Sequence, residues 1–254
     1  MKMVIAVGGR GQRISDYFKK IKYRGPKVLY PIANQPLLYY LIAMAKQANV
    51  RSVVLLGWPE HNRSAARTRA YWKSRGVSIH FGKYTPNMSL PARLRAATMK
   101  WTKPFLYCDG NVLLSPDLFT KLIIHGLPSD KSVLLVTNRH KEADTHLQLM
   151  FSQGKVISVG TAKGVNQIKS SRRTKLQHMW SPGCMIIRPQ LLRQYTAQNI
   201  PSDLDEVNED LFSSDPKSLQ VYRYRGNWWS LHNQKDLDKI TKKPYSGLFA
   251  LYDL

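Results

Sequence analysis

The stretch VGGRGQRI at residues 7–14 places three glycines and two arginines directly after an apolar run at residues 3–6. Glycines let backbone N–H groups approach a phosphate closely, and arginine side chains neutralise its charge. A turn that follows a parallel strand lies at the sheet edge where α/β proteins bind ligands. These residue types predict an anion-binding loop, although the spacing matches neither a dinucleotide fingerprint nor a Walker motif.

A second candidate is Lys27 in the stretch RGPKVLYPIANQPLLYYLI at residues 24–42. The preceding Pro26 holds this lysine on an extended segment, because proline fixes its own backbone angle. An amphipathic helix is predicted over residues 36–48, with Asn34 available as its cap and Pro36 near its first turn.

Three blocks of this region resemble the opening of the sugar-1-phosphate nucleotidylyltransferases, G-G-x-G-T-R-L, then P-K-x-L-x-P-V, then K-P-x-x-x-Y. The matching residues occur in the same order and at similar intervals: Gly8, Gly9, Gly11, Arg13 and Ile14, then Pro26, Lys27, Leu29 and Pro31, then Pro36 and Tyr40. The resemblance continues more loosely along nearly the whole chain.

Later blocks assign further residues by the same resemblance. FLYCDGNVLLSPDL places Asp109 at the family's metal-binding aspartate, with Gly110 beside it at the sugar-phosphate site. GKVISVGTAKG places Lys163 at the lysine that grips the sugar phosphate. SPGCMIIRPQLL places Gly183 near the sugar, and DEVNEDLF places Glu206 there too. GNWWSLHNQKDLDK aligns with the last motif of the family, W-x-D-I-G-T-P-E-D-L.

The resemblance implies attack by a sugar 1-phosphate, or a related phosphomonoester, on the α-phosphorus of an NTP. Pyrophosphate leaves and an NDP-sugar forms, so the site needs charge neutralisation and in-line positioning. The catalytic cations would be Arg13, Lys27 and Lys163. Mg²⁺, with Mn²⁺ as an alternative, would bind Asp109. The implied nucleotide-binding residues are Val7, Gly8, Gly9, Arg10, Gly11, Gln12, Ser89 and Pro91.

The chain departs from the family at its second metal carboxylate, where Ser230 stands in place of the aspartate of W-x-D. Asn233 and His232 are the substitutes within reach in sequence, and an imidazole suits Mn²⁺ better than Mg²⁺. The base-recognition segment reads NMSLPARLRAA and lacks the Gly-Thr of the usual L-G-T-A-x-A-L. The sequence therefore does not identify the nucleobase of the NTP.

The pattern of apolar runs predicts an α/β fold, a single Rossmann-like domain with a mixed, mainly parallel sheet flanked by helices. The predicted halves are 1–140 for nucleotide and 141–254 for sugar phosphate. Strands are expected at residues 2–7, 52–56, 77–81, 104–109 and 132–137, with shorter ones in HLQLMF, KVISVG and GCMIIR. Further helices are expected at 62–75, from Ser115, at 191–198 and at 205–212.

The charge is unusual: 39 Lys and Arg residues face 16 Asp and Glu residues, a formal net charge of +23. Such an excess attracts polyanions without choosing among them. Three functions therefore stay open, namely an enzyme, a pseudoenzyme that binds nucleotide or sugar phosphate, and a basic polyanion-binding protein. The resemblance disfavours nucleic acid as a partner, whereas the charge keeps it open, and a homo-oligomer is not excluded.

The remaining composition predicts a globular protein of the cytoplasm. No apolar stretch reaches the ~20 residues of a membrane span, and no signal-peptide pattern occurs at residue 1. The two cysteines, Cys108 and Cys184, lie in apolar strand-like runs and are predicted to be buried free thiols.

Overall fold

The structure is a computed structural model that describes residues 1–8, 12–57, 63–83, 87–137, 147–160, 176–225 and 228–242. The chain forms two compact units, each built from separate stretches of sequence. Unit 1 comprises Met1–Tyr84, Cys108–Lys121 and Asn227–Leu254, and unit 2 comprises Thr85–Tyr107 and Leu122–Gly226. A single domain with halves that meet at residue 140 stays a prediction.

Unit 1 contains a parallel sheet whose strands are covered by helices. The strands of unit 1 are β1 (Lys2–Ala6), β2 (Pro31–Ile32), β3 (Gln35–Pro36), β4 (Ser52–Leu56), β5 (Ser78–Phe81), β7 (Val112–Leu114) and β14 (Trp228–Ser230). Of these, β2 with β3 and β7 with β14 form two separate antiparallel pairs. Its helices are α1 (Gln12–Lys20), α2 (Leu37–Gln47), α3 (Arg63–Lys73) and α8 (Gln234–Lys242). The boundary between the units falls within β6 (Phe105–Asp109) and within α5 (Leu118–Gly126).

The parallel strands of unit 1 follow the order β1-β4-β5, with Val4 opposite Val54 and Val53 opposite Ile79. Met3, Val4 and Ile5 are fully buried. Near-continuous apolar strands of this kind are typical of parallel sheets with both faces covered. The sheet therefore holds the carboxyl ends of its strands along one edge.

Unit 2 carries a mixed sheet in the order β10-β9-β11-β8-β12, with β13 parallel to β8. Its strands are β8 (Ser132–Thr137), β9 (Gln148–Ser152), β10 (Lys155–Gly160), β11 (Gln177–Trp180), β12 (Cys184–Ile187) and β13 (Leu219–Tyr224). Its helices are α4 (Leu90–Thr98), α6 (Pro189–Arg193) and α7 (Leu204–Ser214). The predicted mixed α/β sheet with flanking helices is confirmed, as are the two buried free cysteines.

Three local predictions are wrong. Asn34 does not cap α2, because it lies at φ 68° in the turn between β2 and β3, and Pro36 occupies the cap position without a side-chain bond. The helix predicted from Ser115 begins at Leu118. The helix predicted at 191–198 ends at Arg193, since Thr196 N–H turns to the side chain of Asn199.

Within the described residues no helix has the length and apolar character to cross a bilayer.

Candidate functional site

Gly110 brings the end of β6 against the end of β1. Its N–H donates to the carbonyl oxygen of Ala6 at 2.8 Å, and an added Cβ would lie 2.6 Å from that oxygen and 3.2 Å from Cγ1 of Val28. A backbone oxygen cannot yield as a flexible side chain can, so this approach requires glycine. The close approach fixes Asp109 beside the carboxyl end of β1. It also occupies the N–H of Gly110, a residue predicted to bind the sugar phosphate.

Lys27 lies at the start of a short 3₁₀ turn, Lys27–Leu29, and not on a fully extended segment as predicted. Pro26 itself is extended, with φ −58° and ψ 143°, and its carbonyl accepts a 3.0 Å hydrogen bond from the Tyr23 hydroxyl. Val28 is 4% exposed and anchors the turn in the core. The Lys27 ammonium donates to the carbonyl oxygen of Leu231 at 2.5 Å. The lysine is therefore held from both ends, by its buried neighbour and by a distant backbone carbonyl.

The Leu231 carbonyl reaches this place because β14 pairs with β7, the strand that follows Asp109 and Gly110. The antiparallel register puts Ser230 opposite Val112, and the Leu231 N–H donates to the Asn111 carbonyl at 2.7 Å. The segment after β14 thus lies alongside the turn after β6. Four stretches distant in sequence meet here: the end of β1, the lysine turn, the turn after Asp109 and residues 230–233.

Ser230 and His232 contact each other where the resemblance calls for a second carboxylate. The Ser230 hydroxyl lies 2.5 Å from Nε2 of His232. Either atom can act as the donor, depending on the imidazole tautomer. This hydrogen bond occupies one of the two ring nitrogens that His232 was predicted to offer a metal ion.

Asn233 directly precedes α8 and caps it in a reciprocal arrangement with Asp236. The Asp236 N–H donates to Oδ1 of Asn233 at 3.2 Å, and Oδ2 of Asp236 accepts from the N–H groups of Asn233 at 3.0 Å and His232 at 2.8 Å. A capping pair satisfies backbone N–H groups that the first helical turn leaves without partners. The amide oxygen predicted as a metal ligand therefore also serves as the helix cap.

The described side chains fit a divalent ion only if substrate phosphates supply further ligands. Asp109 is a partly exposed carboxylate at the end of β6, and no group of three His, Cys, Asp or Glu side chains that could hold a metal occurs among the described residues. Mg²⁺ commonly takes one or two carboxylates together with water and substrate phosphates. One carboxylate and the Lys27 ammonium, beside the same backbone segments, suit an ion that arrives with a triphosphate.

The glycine loop is only partly described. The N–H groups of Val7 and Gly8 both donate to the Leu56 carbonyl, at 2.8 and 3.0 Å, so in this conformation Gly8 does not offer its N–H to a phosphate as predicted. Gly9, Arg10 and Gly11 lie outside the described residues. The backbone of Gln12 and Arg13 forms the first turn of α1, while their side chains also lie outside the description. A helix that the sequence did not predict thus follows the loop directly.

The other predicted residues belong to unit 2, apart from Lys163, which lies outside the described residues. Ser89 caps α4 and accepts a 3.3 Å hydrogen bond from the Ala92 N–H, and Pro91 is buried in the first turn. Gly183 lies at φ 74°, in the left-handed region that favours glycine. Glu206 accepts two 2.8 Å hydrogen bonds from the backbone N–H and hydroxyl of Ser202, which lower its pKa.

Two contributors escaped the sequence prediction. Asp236 was visible as the last residue of an Asn-x-x-Asp capping pattern before the apolar positions of α8, a recognised helix-start signature. Leu231 gave no signal, because it contributes a backbone carbonyl that any residue type carries.

A curated relative and several solved structures are similar to this chain. A glucose-1-phosphate thymidylyltransferase from Neisseria meningitidis is 28% identical over 81 residues, which is 32% of this chain and 27% of the relative. The match therefore spans about a quarter of that relative's length. No protein-family model matches the chain.

The solved structures agree over nearly full length at low identity. A Bacillus anthracis protein assigned as a glucose-1-phosphate thymidylyltransferase, in complex with sucrose, has a TM-score of 0.77 at 15% identity and covers 95% of this chain and 94% of its own. An inositol-1-phosphate CTP transferase from T. maritima has a TM-score of 0.71 at 12% identity, with 97% of both chains covered. A UDP-glucose pyrophosphorylase bound to UDP-glucose has a TM-score of 0.73 at 12% identity and covers 97% of this chain and 98% of its own. These likenesses show the fold.

Proposed function

We propose that this chain transfers a nucleotidyl group from an NTP to a sugar 1-phosphate or a related phosphomonoester, with release of pyrophosphate. The observation that carries the proposal is the assembly of Lys27, Asp109 and residues 230–233 around the carboxyl end of β1. The names of the similar proteins support it, because each describes a transferase or pyrophosphorylase that handles a nucleotide and a 1-phosphate or sugar nucleotide.

In this proposal the protein contributes positioning and charge, and no covalent enzyme intermediate is required. Lys27 and Arg13 neutralise the triphosphate and the departing pyrophosphate, and Lys163 holds the incoming phosphate against repulsion. Backbone N–H groups after Gly8 complete the phosphate cradle. The Leu231 carbonyl keeps the Lys27 ammonium in place before substrate arrives, so less rearrangement is needed at the moment of reaction.

A Mg²⁺ ion would be held by Asp109, with water and phosphate oxygens completing its shell. Such an ion supplies charge stabilisation to the phosphates. The resemblance assigns Asp109 to the metal ion, and Asp109 is therefore the first ligand to test. Mn²⁺ is the alternative ion.

Pyrophosphate release is the direct test. The four common NTPs are each combined with a panel of sugar and polyol 1-phosphates, first with Mg²⁺ and then with Mn²⁺. Release that requires both an NTP and one acceptor supports the proposal. Absence of release from every pair, with the protein folded, rejects it.

The second candidate is a pseudoenzyme that binds nucleotide or sugar phosphate without turnover. Ser230 favours it, because a hydroxyl paired with an imidazole stands where the resemblance calls for a second metal carboxylate. Thermal stabilisation by an NTP in the absence of any pyrophosphate release would support this reading over the enzyme.

A further inference from the structure

Part of the basic excess of the chain lies in and around α3 and β5, which contain none of the residues of the proposed site. Between Glu60 and Asp109 the sequence contains no acidic residue, while residues 61–83 carry six basic ones. They are Arg63, Arg67, Arg69, Lys73, Arg75 and Lys83. A stretch with one sign of charge creates a field that attracts polyanions.

The structure turns part of this stretch into a concave surface. A cleft of about 450 Å³ lies between α3 and β5 within unit 1. Its lining consists of Arg69, Lys73, Ser78, Ile79, His80 and Phe81. Arg69 and Lys73 are four residues apart and so lie one above the other on the same helix face. The Arg69 guanidinium lies 4.9 Å from the centre of the Phe81 ring, which keeps a planar cation at the cleft wall.

The floor of the cleft is formed by β5, which among the described residues is the last strand in the order β1-β4-β5. The N–H groups of Ser78 and Gly82 donate to the carbonyls of Arg51 and Leu55, on the β4 side. Backbone N–H groups along a strand point alternately to its two sides, so the N–H group of Ile79 faces away from β4. Backbone N–H groups and cations together are the usual contacts to phosphate oxygens in nucleic-acid interfaces.

We infer that the α3–β5 cleft binds single-stranded nucleic acid. Proteins that bind single strands without sequence preference combine a cationic groove with an aromatic side chain on which bases stack. Arg69, Lys73 and Phe81 supply this combination, and the cleft has the size of a site for one small molecule or nucleotide, not for a duplex.

The surface around the cleft argues against a membrane as the occupant. Helices that lie in a bilayer interface present large apolar side chains beside their cations. None of the exposed large apolar residues among the described part of the chain belongs to α3 or β5. The charge and the polar character of this surface therefore favour a flexible phosphate chain.

Fluorescence anisotropy of a labelled oligouridylate of about twelve nucleotides tests the inference, since single-strand sites span about 4–16 nucleotides. The intact chain is expected to bind with an affinity that falls steeply as salt rises. Removal of two cations by Arg69→Ala with Lys73→Ala should weaken binding about 25-fold at about 0.1 M salt and reduce the salt slope by about 1.4. Lys73→Glu alone, at an exposed position, repeats the test if the double variant folds poorly.

The matched control removes the same charge elsewhere, through Lys155→Ala with Lys217→Ala, two exposed lysines of unit 2. Equal loss in the control and the cleft variants would show that only net charge matters and would overturn the inference. Absence of oligonucleotide binding, or stronger binding to anionic vesicles or duplex than to the single strand, would overturn it as well. Nucleotidyl transfer should be unchanged in the cleft variants, so failure of this inference is distinguishable from failure of the proposed function.

Discussion

Lys27 Nζ donates a 2.5 Å hydrogen bond to the carbonyl oxygen of Leu231, a residue 204 positions further along the chain. The bond joins the candidate phosphate-binding lysine to the segment that follows β14. Its acceptor is a main-chain atom, held in turn by the Leu231 N–H on Asn111. The Lys27 ammonium is therefore positioned by the Leu231 carbonyl, which is itself fixed by the backbone hydrogen bond to Asn111.

Replacement of Lys27 tests this cation directly. Lys27→Ala should lower turnover at least ~100-fold while the fold persists, by analogy with the loss of one preorganised electrostatic contact. The readout is pyrophosphate release, with circular dichroism as a check of folding. Lys20→Ala, which removes an exposed lysine at the end of α1, is the matched control and should retain activity. Full activity in Lys27→Ala would remove this lysine from the mechanism.

Asp236 should influence the position of the Lys27 ammonium through the backbone that follows Leu231. Asp236→Ala removes the carboxylate that holds the N–H groups of His232 and Asn233, at a cost of about 1–2 kcal/mol of stability. Because Leu231 directly precedes these residues, turnover should also fall. Asn199→Ala is the control, since Asn199 Oδ1 also accepts two hydrogen bonds, from the N–H and hydroxyl of Thr196. A drop in melting temperature with unchanged turnover in Asp236→Ala would make the role of this carboxylate purely structural.

Gly110 should tolerate no side chain. Gly110→Ala places Cβ 2.6 Å from the Ala6 carbonyl, so either β1 or the turn after Asp109 must shift, at a cost of about 1–3 kcal/mol. Thermal unfolding and turnover should both decline. Gly82→Ala is the comparison, because its Cβ meets the end of the flexible Leu56 side chain, which can move. Equal stability losses in the two variants would contradict the importance of the backbone contact.

The Mg²⁺ concentration needed for turnover should depend on the residue at position 230, where the resemblance calls for a second metal carboxylate. Ser230→Asp restores an acidic residue opposite Val112, and it should lower the Mg²⁺ concentration for half-maximal turnover by roughly an order of magnitude. Ser230→Asn is the neutral control of similar shape. Metal titrations of pyrophosphate release compare the two variants. The same Mg²⁺ requirement in both would place the ion away from Ser230.

Buried tyrosines should set the alkaline limit of stability. Burial raises the pKa of Tyr40 to about 12, and its hydroxyl donates to the Ile32 carbonyl at 2.7 Å. Since the ionised form is disfavoured in the folded state, this contribution is present below the unfolded pKa of 10 and is lost as pH rises toward 12. Tyr40→Phe should therefore show a shallower decline of unfolding free energy over this range, measured by urea unfolding. Parallel declines in the two proteins would contradict the shift.

The sequence predicted the buried strands β4 and β8 well, because their apolar runs are long and bounded by turn residues. The strands at 52–56 and 132–137 agree with β4 and β8 residue for residue. Helix α1 was not predicted, since charged and polar residues separate its core positions. Its first residues also belong to the stretch VGGRGQRI, which was interpreted only as an anion-binding loop. Helix α4 was likewise hidden within a segment interpreted only as base recognition.

For the candidate site, the sequence identified the side chains but not how the backbone holds them. The motif order singled out Lys27 and Asp109, and the structure places each within one unit beside the same backbone segments. The Leu231 carbonyl and the Gly110 approach could not be predicted, because a carbonyl carries no residue identity and a close contact depends on packing across the fold. Binding roles for the predicted residues, including those of unit 2, stay predictions.

The fate of the α-phosphate tests the central claim most directly. The chain is incubated with an NTP labelled at its α-phosphate and with a sugar 1-phosphate in the presence of Mg²⁺, and the products are separated. The proposed transfer predicts that the label appears in a nucleoside diphosphate sugar, in equal amount to the pyrophosphate released. Label recovered only in unreacted NTP or in free nucleoside monophosphate, for every base and acceptor tried, would contradict it.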